Sequence, residues 1–181
     1  TNNTFRRIRR RTSPGETILG FSSVQAIYLD DQMSGYIIMN NIVEDSDTGI
    51  LLGGGRDNRI VSNRFINTDL PISFDSRGLS WDAARCQTGG EFQIELDKFG
   101  YNHMPWVERY PSLKRTFQDS PCTPVHNVSE DFRYCGLLNA STWIETNGTS
   151  VERLVSYDNT FMHTRLDPHM CDSFWSQTER S

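Results

Sequence analysis

The feature that most constrains this chain is an alternating apolar pattern that returns about every 22 residues. Ala26-Ile27-Tyr28-Leu29-Asp30 is followed 23 residues later by Gly49-Ile50-Leu51-Leu52-Gly53, and after another 22 by Pro71-Ile72-Ser73-Phe74-Asp75. Between these runs, residues 36–43 align with residues 58–65 at an offset of 22. A period this short, built of strand-forming residues with no helix-length stretch between, predicts an all-β solenoid of stacked parallel strands. Alternation assigns the faces: Ile27 and Leu29 point inward while Tyr28 and Asp30 point outward. Ile50 and Leu52, then Ile72 and Phe74, continue the inward columns.

Asn41 and Asn63 fall at the same corner of successive coils, where stacked amides can satisfy the backbone groups of a turn. Asn3-Thr4-Phe5 and Asn159-Thr160-Phe161 repeat this Asn-x-apolar corner. The expected organisation is therefore β-helix coils over 1–78 with a loop insertion at 6–21. A loop-rich insertion with cysteines and glycosylation sequons follows over 79–150, then a return to the coils over 151–166 and a tail over 167–181. An uncapped solenoid end leaves strand edges bare. The chain is accordingly expected to be a fragment that continues into further coils.

With 181 residues and a net charge of -5, one domain is expected, and nucleic acid is not an obvious partner. No run approaches the ~18 apolar residues of a membrane span. Cys86, Cys122, Cys135 and Cys171 are widely spaced and lack zinc-type pairing, and the histidines show no ligand spacing, so no metal site is expected from them. Sequons at Asn2, Asn127, Asn139 and Asn147 beside an even cysteine count point to a secreted, extracellular glycoprotein. Two disulfides are expected, Cys122–Cys135 as the local one and Cys86–Cys171 as the long one. The run Arg6-Arg7-Ile8-Arg9-Arg10-Arg11 reads as a solvated loop, with a polyanion patch or a dibasic processing site as sharper alternatives. Nucleotide-binding and nucleophile-elbow motifs are absent.

One outward column carries chemistry. The position after each strand reads Asp30, Gly53, Asp75, and parallel stacking puts the two carboxylates ~9–10 Å apart before side-chain rotation. The glycine between them leaves a gap, and Gly53-Gly54-Gly55 predicts a shallow floor for a ligand. Two carboxylates across a groove suit glycoside hydrolysis, this spacing favouring inversion. Asp31, Arg56 and Arg77 fall around the rim, where arginine can hold one acid ionised or bind a sugar carboxylate. Trp106, Trp81 and Tyr28 can stack on a sugar ring. Two other readings stay open: aspartates that cap turns, and an acid cluster that binds calcium.

The strings Ala26-Ile27-Tyr28-Leu29-Asp30-Asp31, Gly53-Gly54-Gly55-Arg56-Asp57-Asn58, Phe74-Asp75-Ser76-Arg77-Gly78 and Pro105-Trp106-Val107-Glu108-Arg109-Tyr110-Pro111 resemble a family of large secreted right-handed parallel β-helix proteins. The resemblance covers roughly residues 24–118, and the nearest group with known activity is glycoside hydrolase family 141, which includes an α-L-fucosidase and a xylanase. It implies a carbohydrate-active β-helix with two catalytic aspartates, matched here by Asp30 and Asp75, acting on a polysaccharide. A non-catalytic module binding glycan or matrix through the same face is the alternative. A lyase is disfavoured, since the only lysines, Lys98 and Lys114, lie outside the repeat.

Overall fold

The computed structural model describes residues 1–10, 23–115, 121–131, 133–135, 144–147, 160–161 and 165–166. Among them the chain is mostly β. The strands are β1 (Thr4–Arg6), β2 (Gln25–Leu29), β3 (Ile37–Met39), β4 (Ile42–Gly53), β5 (Arg59–Val61) and β6 (Arg64–Asp75). After an excursion come β7 (Val128–Glu130), β8 (Arg133–Cys135), β9 (Ile144–Asn147), β10 (Thr160–Phe161) and β11 (Arg165–Leu166). Helix occurs within the excursion, as α1 (Glu91–Lys98), α2 (Trp106–Arg109) and short 3-10 turns.

The strands pair in parallel, in the register the repeat predicts. Ile27 lies beside Ile50 and Leu29 beside Leu52; Ile50 lies beside Ile72 and Leu52 beside Phe74. Ile50, Leu52, Ile72 and Phe74 are buried, and with Val43, Phe65, Ile38 and Ile60 they form the core. Each such side chain contributes ~1.5–3 kcal/mol on burial, so a slip by one residue would turn a whole stabilised column to water. In the second sheet Ile38 stacks on Ile60, again 22 residues on.

Three sets of single left-handed residues mark the corners. Gly35, Asp57 and His126 form one set (φ 75°, 58°, 56°), and Asn2, Asn40, Ser62 and Asp131 a second (φ 57°, 56°, 54°, 48°). Arg7, Asp45 and Asn67 form the third (φ 58°, 50°, 48°). Glycine and short polar residues tolerate this conformation best, because the side chain can bond locally. In the first two sets the next residue is often asparagine, and its amide stacks. Asn63 Oδ1 accepts the backbone N–H and Nδ2 of Asn41, both at 3.0 Å, and Asn41 Oδ1 does the same for Asn3 at 3.1 Å. Asn63 Nδ2 donates to the carbonyls of Ile38 and Val61, so its amide is satisfied on both sides although it is fully buried.

The structure corrects several expectations. Asn127, expected as a glycosylated sequon asparagine, is instead part of a buried corner: it is 1% exposed, its Oδ1 accepts from Asn58, and its Nδ2 donates to the Gly55 carbonyl, which leaves the nitrogen no room for a glycan in this fold. The excursion ends earlier than residue 150, because β7 pairs with β5 and both β8 and β9 pair with β6. Thr160–Phe161 rests on Val128–Ser129 in the second sheet, rather than on the Asn41–Asn63 corner. The disulfide is Cys86–Cys122, with Cα atoms 5.7 Å apart, in place of both expected pairings. Asn2 is exposed, and Asn147 ends β9 opposite Asp75. Asn139, Cys171 and the tail over 167–181 lie outside the described residues, as does most of the 6–21 insertion.

The arginine run is partly engaged by acids of the third corner. Arg6 pairs with Glu44, and Arg9 donates to Asp45 and Asp69 at 2.8 Å each and to the Asn67 carbonyl at 2.8 Å. Surrounding acids thus offset the charge a polyanion patch would need.

Candidate functional site

At the end of β6 the chain leaves the sheet through a 3-10 turn, Arg77–Leu79. That turn folds the Arg77 side chain back over the neighbouring rung. The guanidinium is 3% exposed, yet it donates in four directions. Nε bonds Asp75 Oδ2 at 2.9 Å, Nη1 bonds Asp30 Oδ1 at 2.6 Å and Asp31 Oδ1 at 2.8 Å, and Nη2 bonds the Tyr28 hydroxyl at 2.8 Å. The Tyr28 and Trp81 rings flank it at 5.8 and 5.2 Å, within cation–π range. A Cβ at Gly53 would sit 2.7 Å from Nη2. The gap at Gly53, expected to be a ligand floor, is therefore filled by Arg77. The rest of that floor is also covered, Gly54 by the Gln32 side chain and Gly55 by the Met33 carbonyl.

The carboxylates of this cluster differ in environment. Asp30 and Asp31 are over half exposed, whereas Asp75 is fully buried and its Oδ1 has no hydrogen-bond partner among the described residues. Burial pushes the Asp75 carboxyl up, against the opposing pull of Arg77 and of a hydrogen bond from Trp81. For Asp30 a desolvation cost is outweighed by hydrogen bonds from Tyr28 and Arg77, and its value falls. Desolvation raises the Tyr28 hydroxyl, with Asp30 adding to the shift. Two acids joined through one arginine are thus driven apart in proton affinity.

A second arginine extends the cluster. Arg85 reaches Asp82 Oδ2 at 3.4 Å, Glu91 Oε2 at 3.3 Å and Asp31 Oδ2 at 3.8 Å. Beside it lies a small cleft lined by Asp31, Gln32, Asp82, Arg85, Cys86 and Phe92. The Cys86–Cys122 bond pins this wall, since Cys122 packs where a Gly78 side chain would stand. Arg56 stands apart, at the corner beside Asp57 (3.8 Å). Sequence reasoning brought Asp30, Asp31, Asp75, Arg77, Tyr28 and Trp81 together but missed Gln32, Asp82 and Arg85. Asp82 and Arg85 sit in the non-repeating excursion, where no column alignment reaches them.

Residues 2–93 match the family described as periplasmic copper-binding protein (NosD). The chain belongs to the NosD family. The match runs from before β1 into α1, and it takes in the whole Arg77 cluster and the cleft beside it. Membership places the chain among β-helix-type repeat proteins, in accord with the stacked registers. No curated protein and no solved structure matches the chain. Among the described residues no helix is long and apolar enough to cross a membrane.

Proposed function

We propose that this NosD-family chain is part of a right-handed parallel β-helix in an extracytoplasmic protein, and that its Tyr28–Trp81 face binds polysaccharide. The observation that carries this reading is the arrangement about Arg77. One buried guanidinium orients two aromatic rings, 41% and 65% exposed, beside two exposed carboxylates. Exposed aromatic faces take the apolar side of a sugar ring, and fixed carboxylates accept its hydroxyls. The cluster costs side-chain freedom and desolvation that a plain surface would not incur. The disulfide suits an oxidising compartment.

Hydrolysis of the glycoside hydrolase family 141 kind is the second reading. It is favoured by the opposed shifts of Asp75 and Asp30, which fit a protonated acid and an ionised base. Against it, Asp75 is fully buried and bonded to Arg77. A metal role is not part of the proposal. Among the described residues no three His, Cys, Asp or Glu side chains converge as ligands, and Asp30, Asp31 and Asp75 meet around a guanidinium instead. Cys86 and Cys122, the soft donors copper prefers, are bonded to each other.

Pull-down on a panel of insoluble polysaccharides, with reducing-sugar release measured in parallel, tests both readings. Binding that falls at least tenfold in Trp81→Ala, with no sugar released, supports the binding module. Release that is lost in Asp30→Asn and Asp75→Asn supports hydrolysis. Retention equal in wild type and Trp81→Ala would remove the proposed face.

A further inference from the structure

Resting on that reading, we infer that the Cys86–Cys122 disulfide is a redox control on the glycan face: the Arg77 cluster is assembled while the bond is intact and comes apart when a dithiol reduces it. Both cysteines bear on the short segment that carries Arg77, and neither belongs to the solenoid core. The bond can therefore act on the face without holding up the strands beneath it.

Arg77 stands at the start of a three-residue 3-10 turn, Arg77–Leu79, with no side-chain cap at Ser76. One isolated turn of this kind makes too few hydrogen bonds to hold its own shape, so the shape comes from outside. On one side the backbone N–H of Asp82 donates to the Arg77 carbonyl at 2.9 Å. Asp82 precedes the next 3-10 turn, Ala83–Cys86, whose last residue is the first cysteine. On the other side a side chain at Gly78 would run into the Cβ and the carbonyl of Cys122, so the second cysteine is pressed against the residue next to Arg77. The disulfide joins these two supports to each other.

Cys86 is the less deeply buried partner and lines the small cleft beside Asp31. A dithiol reductant therefore meets Cys86 first. One of its thiolates attacks the Cys86 sulfur, the S–S bond breaks, and Cys122 leaves as a thiolate that takes up a proton. The second thiol of the reductant then displaces the Cys86 sulfur from the mixed disulfide. Two electrons have moved, giving two protein thiols and one oxidised reductant. Sulfurs no longer bonded must separate to van der Waals contact. Cys122 is close-packed against Gly78, so the separation is taken up where Arg77 is held. Four hydrogen bonds depend on that placement, and such bonds weaken steeply once distance and angle drift. Once released, the guanidinium no longer orients the Tyr28 and Trp81 rings beside Asp30 and Asp31.

The test compares wild-type protein before and after treatment with excess dithiothreitol, and again after reoxidation. Circular dichroism follows the strands, and nitrogen-15 NMR follows the Arg77 Nε–H and the Trp81 indole N–H without ligand. Pull-down measures retention on the polysaccharide panel. On reduction the β signal should stay, the two N–H resonances should move or broaden, and retention should fall at least tenfold. Reoxidation should restore the resonances and the retention. Cys135→Ser/Cys171→Ser should respond in the same way, whereas Cys86→Ser/Cys122→Ser should resemble reduced wild type and ignore the reductant. Resonances and retention unchanged by reduction overturn the inference and leave the polysaccharide face standing. Loss of the β signal overturns it as well, because the bond would then hold the whole fold. Resonances that move while neither form is retained on any polysaccharide overturn the binding face and leave the disulfide's hold on Arg77.

Discussion

Arg77 serves three carboxylates and a phenol from a site that water barely reaches, and the balance of charge there sets how the protein responds to pH. Asp75 has a raised value, so ionising it costs the folded state more than the unfolded one. Its contribution to stability is full below the ordinary aspartate value of 3.8 and is lost as pH rises through its folded value. Asp30 has a lowered value and behaves oppositely, stabilising above its unfolded value and losing this as pH falls through its folded value. Asp75→Asn removes only the first effect. Its stability, from urea unfolding at successive pH values, should decline less than that of wild type as pH rises just above 3.8. Parallel curves for the two proteins would show that Asp75 does not titrate as its burial demands. The outward placing of Asp30 and the Asp30–Gly53–Asp75 column were legible from strand alternation alone. That Arg77 fills the gap was not, because its direction depends on a 3-10 turn that lies beyond the repeat.

At the scale of elements, the repeat is visible in the strands and hidden in the corners. Inward positions such as Ile50 and Ile72 keep their identity because each must fill the same slot against its neighbour above and below. Corner positions need only tolerate the left-handed conformation, so Gly35, Asp57 and His126 share a role and not a residue type. The return of the chain at Val128 was obscured for a related reason. Asn127-Val128-Ser129 spells a sequon, yet the same three residues are an amide-ladder corner followed by a strand. Cysteine pairing could not be read from spacing, since it depends on how the excursion folds back past Gly78. That excursion is closed by Cys86–Cys122 across 36 residues, a loop for which chain-entropy arguments give ~3–4 kcal/mol. The double variant Cys86→Ser/Cys122→Ser should lose about that much in thermal unfolding and become open to protease cleavage between residues 87 and 121. Unchanged melting and unchanged cleavage would mean that the wall of the cleft is held by packing alone.

For the molecule as a whole, stacked parallel strands turn residues distant in sequence into one surface. Tyr28 in β2, Asp30 just after it, Asp75 at the end of β6, and Trp81 beyond it meet because β2, β4 and β6 lie in register. NosD-family membership and the register agree on a β-helix scaffold, and neither specifies what the outer face holds. The central claim is that this face, organised by Arg77, is where glycan binds. The most direct measurement is nitrogen-15 NMR of the folded protein titrated with the polysaccharide fragment retained most strongly by pull-down. The indole N–H of Trp81, whose ring lies beside Arg77, should shift progressively with added ligand, and the Arg77 Nε–H should move with it. The indole of Trp106, on α2, should stay in place. Shifts at Trp106 with Trp81 and Arg77 unmoved would contradict the account.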